Sequence, residues 1–174
     1  MSFTDTDLIA RVLLSGDQNA FAELVRRHQS PVRAFLTRMT RGDAHQADDL
    51  AQETFLKVWQ KLNTYRGGAK FSTWLFSIAF NEFRSAARKR GELLSADIEE
   101  AAEEKPAPDM NQGLRLDLTA ALERLSSNER AAILLCCQNG MSHEEAAQIL
   151  DSPVGTVKTN ILRGKEKLKR LLSL

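Results

Sequence analysis

The sequence predicts an all-α protein made of two small helical domains joined by an acidic, flexible linker. Three observations carry this. Apolar residues recur at intervals of three and four over long stretches, and no stretch sustains the alternation of a half-buried strand. Helix-start signals of the Ser-x-x-Glu form stand at Ser126 to Glu129 and Ser142 to Glu145, where hydroxyl and carboxylate cap a helix reciprocally. Between the helical parts lies a stretch with two prolines, seven acids and no aromatic residue, which cannot bury enough apolar surface to fold alone. The expected division is 1–91, a linker at 92–112, and 113–174.

The totals agree with a globular chain. Of 174 residues, 43% are hydrophobic and 27% charged, ordinary values that argue against disorder. The net charge of +1 conceals a division: 1–91 carries +5, 92–112 carries −6 and 113–174 carries +2. Clustered cation counts for more than the total in nucleic-acid binding. No apolar run is long enough to span a membrane, and MSFTDTDLIA lacks the basic and apolar regions of a secretory signal, so a cytoplasmic location is expected. Cys136 and Cys137 are the only cysteines, which is no disulfide framework and suits a reducing compartment.

In chain order, Thr4 or Asp5 caps a first helix through Leu14, which Gly16 ends. Asp17 caps the next, where Phe21, Leu24, Val25, His28, Val32, Phe35, Leu36 and Met39 keep helical spacing. Ser30-Pro31 should kink or restart it, because proline lacks a donor and crowds the preceding turn. Gly42 closes the segment. A helix from about Ala47 to Leu62 puts Ala51, Phe55, Val58, Trp59 and Leu62 on one face, with Asp48, Asp49, Gln52, Glu53, Lys57 and Gln60 largely opposite. Taken alone, that polar face is a solvated surface. Asn63 to Lys70 is a loop by its turn residues. Ser72 or Thr73 caps a third helix with Phe71, Leu75, Ile78, Ala79, Phe83 and Ala86 inward. Trp74, Ser77, Asn81, Arg84 and Arg88 recur along it at intervals of three or four. That stripe suits a nucleic-acid strand, since aromatics stack on bases, Asn reads an edge and Arg neutralises phosphate. The plainer alternatives are a core role for Trp74 and a dipole-offsetting role for the run Arg88 to Arg90.

The last segment reads as a helix to Gln138 ended by Gly140, a short helix over 143–150, a tight turn, and a helix over 153–172. Ser152 is expected to cap the last of these, with Pro153 at its first position. A short helix, a turn and a longer helix form the helix-turn-helix pattern, whose second helix enters the major groove. Thr156, Lys158, Thr159, Asn160 and Arg163 supply donors in that helix's N-terminal half, and from Lys158 on it has six cations against Glu166. The alternative is a helical hairpin with a solvated basic face.

Two stretches, Asp48 to Arg90 and Ser126 to Leu172, together resemble the two conserved domains of bacterial sigma factors of the extracytoplasmic-function group, the minimal members of the sigma-70 family. DDLAQETFLKVWQKL is similar to the family's core-polymerase-binding helix, NTYRGGAKFSTWLFSIAFNEF to its promoter-melting segment, and SHEEAAQILDSPVGTVKTNILRGKEKL to its reader of the −35 element. GDQNAFAELVRRHQSPV also fits. The resemblance implies that Asp48, Asp49, Gln52, Glu53, Leu56 and Trp59 dock on the polymerase β′ clamp helices, with the β flap as a further contact of the factor. It implies that Tyr65 lines a pocket for a flipped base of the −10 element, and that Phe71, Trp74 and Asn81 engage the opened non-template strand, with Arg84 and Arg88 set against phosphate. Lys158, Thr159, Asn160, Leu162 and Arg163, with Thr156 beside them, would meet the −35 duplex. An anti-sigma factor, membrane-bound in one form of the idea, is the further partner implied.

The chain departs from the family's usual pattern at Phe80, Ser85, Ser126, Asn160 and Gly164. Gly164 inside a helix costs about 1 kcal/mol relative to alanine. No nucleophile, base and orienting group stand together in the sequence, and His28, His45 and His143 have no ligand spacing, so no enzyme, metal, cofactor or small-molecule substrate is expected. The rival reading is a freestanding helix-turn-helix regulator with a helical partner-binding domain. The helix from Asp48 to Trp59 discriminates, because a lone regulator does not need it.

Overall fold

The computed structural model describes residues 3–91 and 118–172. The whole of the expected linker, 92–112, and its distal boundary lie outside the described residues. Among the described residues there are eight α-helices and no strand: α1 (Asp5–Ser15), α2 (Gln18–Met39), α3 (Ala44–Lys61), α4 (Phe71–Lys89), α5 (Leu118–Glu123), α6 (Ser127–Ile133), α7 (His143–Leu150) and α8 (Val154–Leu171). None of these helices is long and apolar enough to cross a membrane.

Local chemistry sets most boundaries. Thr4 and Asp7 form a reciprocal capping box for α1, and Gly16, at a φ of 64°, ends it in the left-handed conformation that glycine adopts without strain. Asp17 caps α2 through the amides of Asn19 and Ala20. The helix then continues through Pro31, so of the kink or restart expected there the restart does not occur. Proline costs one amide bond there, while Leu24, Val32, Phe35 and Leu36, all fully buried, hold the helix on both sides. α3 starts three residues earlier than expected because Asp43 caps it through the amide of Gln46. α4 begins at Phe71 with Lys70 as its N-cap and no side-chain cap bond. Neither Ser72 nor Thr73 caps it: both lie within the first turn.

The second half holds two further capping boxes, Ser126 with Glu129 and Ser142 with Glu145. α6 stops at Ile133 and widens into a π-turn over Leu134–Gln138, short of the single helix expected to Gln138. Asp151 turns the chain at a φ of 49°. Ser152 does not cap α8: its hydroxyl donates to Leu150, and Pro153 is the N-cap.

α1 to α4 pack around Val32, Phe35, Leu36, Val58, Leu62 and Leu75. α5 to α8 pack around Ala131, Ala132, Leu135, Ala146 and Val157. The two halves share one continuous core, with α7 against α4 and α5 and α6 against α2. The guanidinium of Arg130, 1% exposed, donates to the carbonyls of Leu122, Glu123 and Leu125 and across to Met39 of α2. Burial, aided by Arg41 and opposed by Glu123, brings its pKa down to about 10, so it remains a cation at neutral pH.

Candidate polymerase and nucleic-acid interface

Three surfaces carry the residues singled out above. The first is α3. Its buried residues are Ala47, Leu50, Thr54 and Val58; of the face expected from spacing, Val58 and Leu62 are buried, Ala51 and Phe55 pack against the core, and Trp59 alone is out of place. Thr54 was missed because its hydroxyl reads as polar, but it is satisfied by the Leu50 carbonyl at 2.7 Å. Trp59, expected inward, is 40% exposed, and Leu56 beside it is 51% exposed. The Trp59 ring meets Phe21 edge-on at 4.8 Å, which fixes its orientation while leaving one side open. Gln52, Glu53 and Asp49 are exposed. Asp49 lies 3.3 Å from His45, and Asp48 is held in a two-pronged contact with Arg33. The surface is an apolar pair bordered by acids and amides.

The second surface is an aromatic cluster where the loop after α3 meets α4. Tyr65 and Trp74 lie 5.4 Å apart at 47°, both half-buried. Phe71 stands beneath them, 5.7 Å from Tyr65 and 5.9 Å from Trp74. It is buried, so it forms the floor of the cluster and does not present a face to a ligand as Trp74 does. His28 supports Phe71 from behind at 5.2 Å and is itself held by Asp5 at 2.7 Å. The Tyr65 hydroxyl donates to the Ala69 carbonyl, pinning the Gly-Gly loop. Burial, and then the charge of Asp5, raises the Tyr65 pKa above its usual value, so it stays a neutral donor. Farther along α4, Asn81 and Arg88 are exposed, and Arg84 lies over the Phe80 ring at 5.8 Å. No residue of the stripe read from the sequence is buried, while Phe76 and Phe80 join the buried side unforeseen.

The third surface is α8. Thr156, Lys158, Thr159, Leu162 and Arg163 are exposed and Asn160 is half-buried. The Thr159 hydroxyl donates to Gly155. Leu162 is 60% exposed, an apolar side chain among donors. The inward side is Val157, Ile161 and Gly164. A Cβ at Gly164 would stand 2.5 Å from Ile133 Cδ1, so the glycine permits close approach of α6 and α8. Glu129 joins the same two helices through Lys167 at 2.9 Å.

Sequence reasoning missed the contacts between the halves. Lys70, Thr73 and Glu145 meet at the α4–α7 seam, and Arg130 ties α6 to α2. Only the helix cap at Glu145 left a signal in the sequence.

Comparison with known proteins fits this arrangement. Residues 24–92 match the family model for Sigma-70 region 2, and residues 115–168 match that for Sigma-70, region 4. The chain is 37% identical over 169 residues to the ECF RNA polymerase sigma factor SigE of Mycolicibacterium smegmatis, covering 91% of this chain and 65% of that one. It is 33% identical over 181 residues to the ECF RNA polymerase sigma-E factor of Haemophilus influenzae, covering 95% and 94%. Two solved structures resemble it at a TM-score of 0.71. One is the sigma factor RpoE in complex with the anti-sigma factor NepR from Bartonella quintana, 33% identical, covering 88% of this chain and 97% of that one. The other is CnrH in complex with the cytosolic domain of CnrY, 29% identical, covering 97% of each. With regions 2 and 4 both matched, in that order, and with 94% of the Haemophilus influenzae factor's length covered, the chain belongs to the ECF group of sigma-70 factors.

Proposed function

We propose that this chain binds core RNA polymerase in the cytoplasm and directs initiation at promoters whose −35 element it reads as duplex and whose −10 element it captures as an opened strand. Residues 1–91 would dock and open, 113–174 would read the duplex, and 92–112 would connect them. The polymerase performs the chemistry, and the chain supplies specificity. The observation that carries the reading is the exposed pair Leu56 and Trp59 on a helix whose neighbours are acids and amides. A factor that docks on polymerase requires such a face, whereas DNA reading by α8 alone does not.

The division of tasks follows from the chemistry of DNA. A duplex displays its base edges in the major groove, so a helix such as α8 can read it without opening it. Bases of the −10 element must leave the stack, at a cost of a few kcal/mol. Stacking on an aromatic face returns about 1–3 kcal/mol per base, which the Tyr65–Trp74 cluster is built to supply. Asn81 would then read an edge, and Arg84 and Arg88 would neutralise phosphate. An anti-sigma partner is part of the proposal, because two structural neighbours are described in complexes, one with a named anti-sigma factor.

The test is core binding and transcription by the full chain. Leu56→Arg combined with Trp59→Ala should abolish capture by core polymerase and promoter-specific run-off transcription, with the helical circular dichroism signal unchanged. Normal capture by a folded double variant would remove α3 as the docking face.

A further inference from the structure

Lys70 is the N-cap of α4 and Trp74 lies in its first turn, where the Trp74 amide donates to the Lys70 carbonyl at 3.2 Å, so the two stand one turn apart at the start of the helix. Lys70 Nζ lies 2.9 Å from Glu145 Oε1, and Thr73 Oγ1 lies 3.5 Å from the same oxygen. The other carboxylate oxygen, Oε2, accepts from the Ser142 amide at 2.8 Å. One oxygen therefore completes the cap of α7 and the other reaches into region 2. α4 has no side-chain cap of its own, so the carboxylate also meets the positive end of that helix. Beside this contact is a cleft of about 200 Å³ between the halves, lined by His28, Pro31, Lys70, Phe76, Met141 and Glu145 among others. Polar contacts and an open cleft thus lie at this edge of the seam, beside the apolar core that the two halves share.

We propose that Lys70 is a shared cation: Glu145 holds it while the two halves are closed on each other, and a backbone phosphate of the opened promoter strand takes it when they part. This rests on reading the Tyr65–Trp74 cluster as the strand-binding surface. A base stacked on Trp74 leaves its phosphate within reach of a lysine one turn away. In the closed chain a carboxylate already occupies the position that phosphate needs. The closed chain is thus blocked against single strands by its own helix-turn-helix, and opening releases one positive charge at the cluster.

Two experiments on the full chain test this. A carbodiimide joins an amine to a carboxylate only when they touch. It should link Lys70 to Glu145 in the free protein, seen by mass spectrometry as one branched peptide and missing from Lys70→Gln. No such link in the free wild type overturns the closed half of the proposal. Fluorescence anisotropy with a labelled oligothymidine reads the other half. Glu145→Gln keeps the capping box, which accepts Gln as well as Glu, and should bind about two- to fivefold tighter, the range of one exposed ion pair. Lys70→Gln should bind more weakly than wild type, and the double variant no more tightly than Lys70→Gln alone. An equal gain from Glu145→Gln in both backgrounds would be a general charge effect and would overturn the sharing, as would unchanged affinity in Lys70→Gln. If Trp74→Ala also leaves binding unchanged, the strand-binding reading falls and takes the proposal with it. A failure confined to the Lys70 variants leaves that reading intact.

Discussion

Arg130 shows how much one side chain can hold. Four carbonyls converge on its guanidinium, three from the end of α5 and the turn after it and one from α2. Arg130→Met fills similar volume but leaves those acceptors without their donor, and a buried group that loses its partner costs about 1–3 kcal/mol. We expect a loss of about 2–4 kcal/mol in unfolding free energy by urea titration, because several acceptors are affected at once. Nothing in the sequence marks this residue, since an arginine after Ser-x-x-Glu reads as a solvated helix cation. The capping glutamates were legible as caps, yet each has a second contact that periodicity cannot reveal: Glu129 with Lys167 and Glu145 with Lys70. The Ser142 amide first, and then Lys70, lower the pKa of Glu145. A lowered carboxylate pKa means a contribution that is complete above the usual value of 4.5 and is lost as pH falls below it. The stability difference between wild type and Glu145→Gln should therefore shrink as pH drops from 4.5, measured by urea midpoints. At the aromatic cluster, Tyr65→Ala should impair promoter opening more than duplex binding. Permanganate reactivity of the −10 region tests this, and normal reactivity would count against the pocket.

Elements divide into those that sequence locates and those that packing decides. α7 was placed residue for residue by its capping box and following turn. α2 was not, because proline's local penalty is visible in sequence while the buried residues that outweigh it act through tertiary contact. α3 was found with the edges of its buried face displaced, since Thr54 is buried and Trp59 is not. That displacement matters, because it exposes the tryptophan that the polymerase-binding reading needs. In α8, Gly164 looked like a helix defect costing about 1 kcal/mol. Its close approach to Ile133 explains it. Gly164→Ala should gain helix propensity but lose more to overpacking, which costs about 1–3 kcal/mol. The net result should be a lower melting temperature. Pairing it with Ile133→Val, which removes the Cδ1 methyl, should recover most of the loss.

At the scale of the whole molecule, the two-part organisation and its order were legible from charge blocks and capping signals. The closure of the parts was not. Its ties join residues 72 and 91 positions apart, distances at which no local spacing rule operates. If core polymerase separates the halves, amide exchange over 70–76 and 139–146 should speed up in the complex, while the middle of α2 stays protected. Unchanged exchange at the seam would mean that the chain works closed.

The tie between Arg130 and Met39 has one more consequence, for how the seam can drift over generations. Its acceptor is a main-chain oxygen, which every residue type at position 39 would supply. Region 2 cannot lose that half of the bond by a side-chain change. The donor is a single codon, and the same guanidinium also holds three carbonyls in its own half. A lineage that discarded Arg130 to loosen the seam would also weaken its DNA-reading half. Variation in how firmly such chains close should therefore collect at Lys70 and Glu145, where a substitution alters closure and leaves the folded core in place.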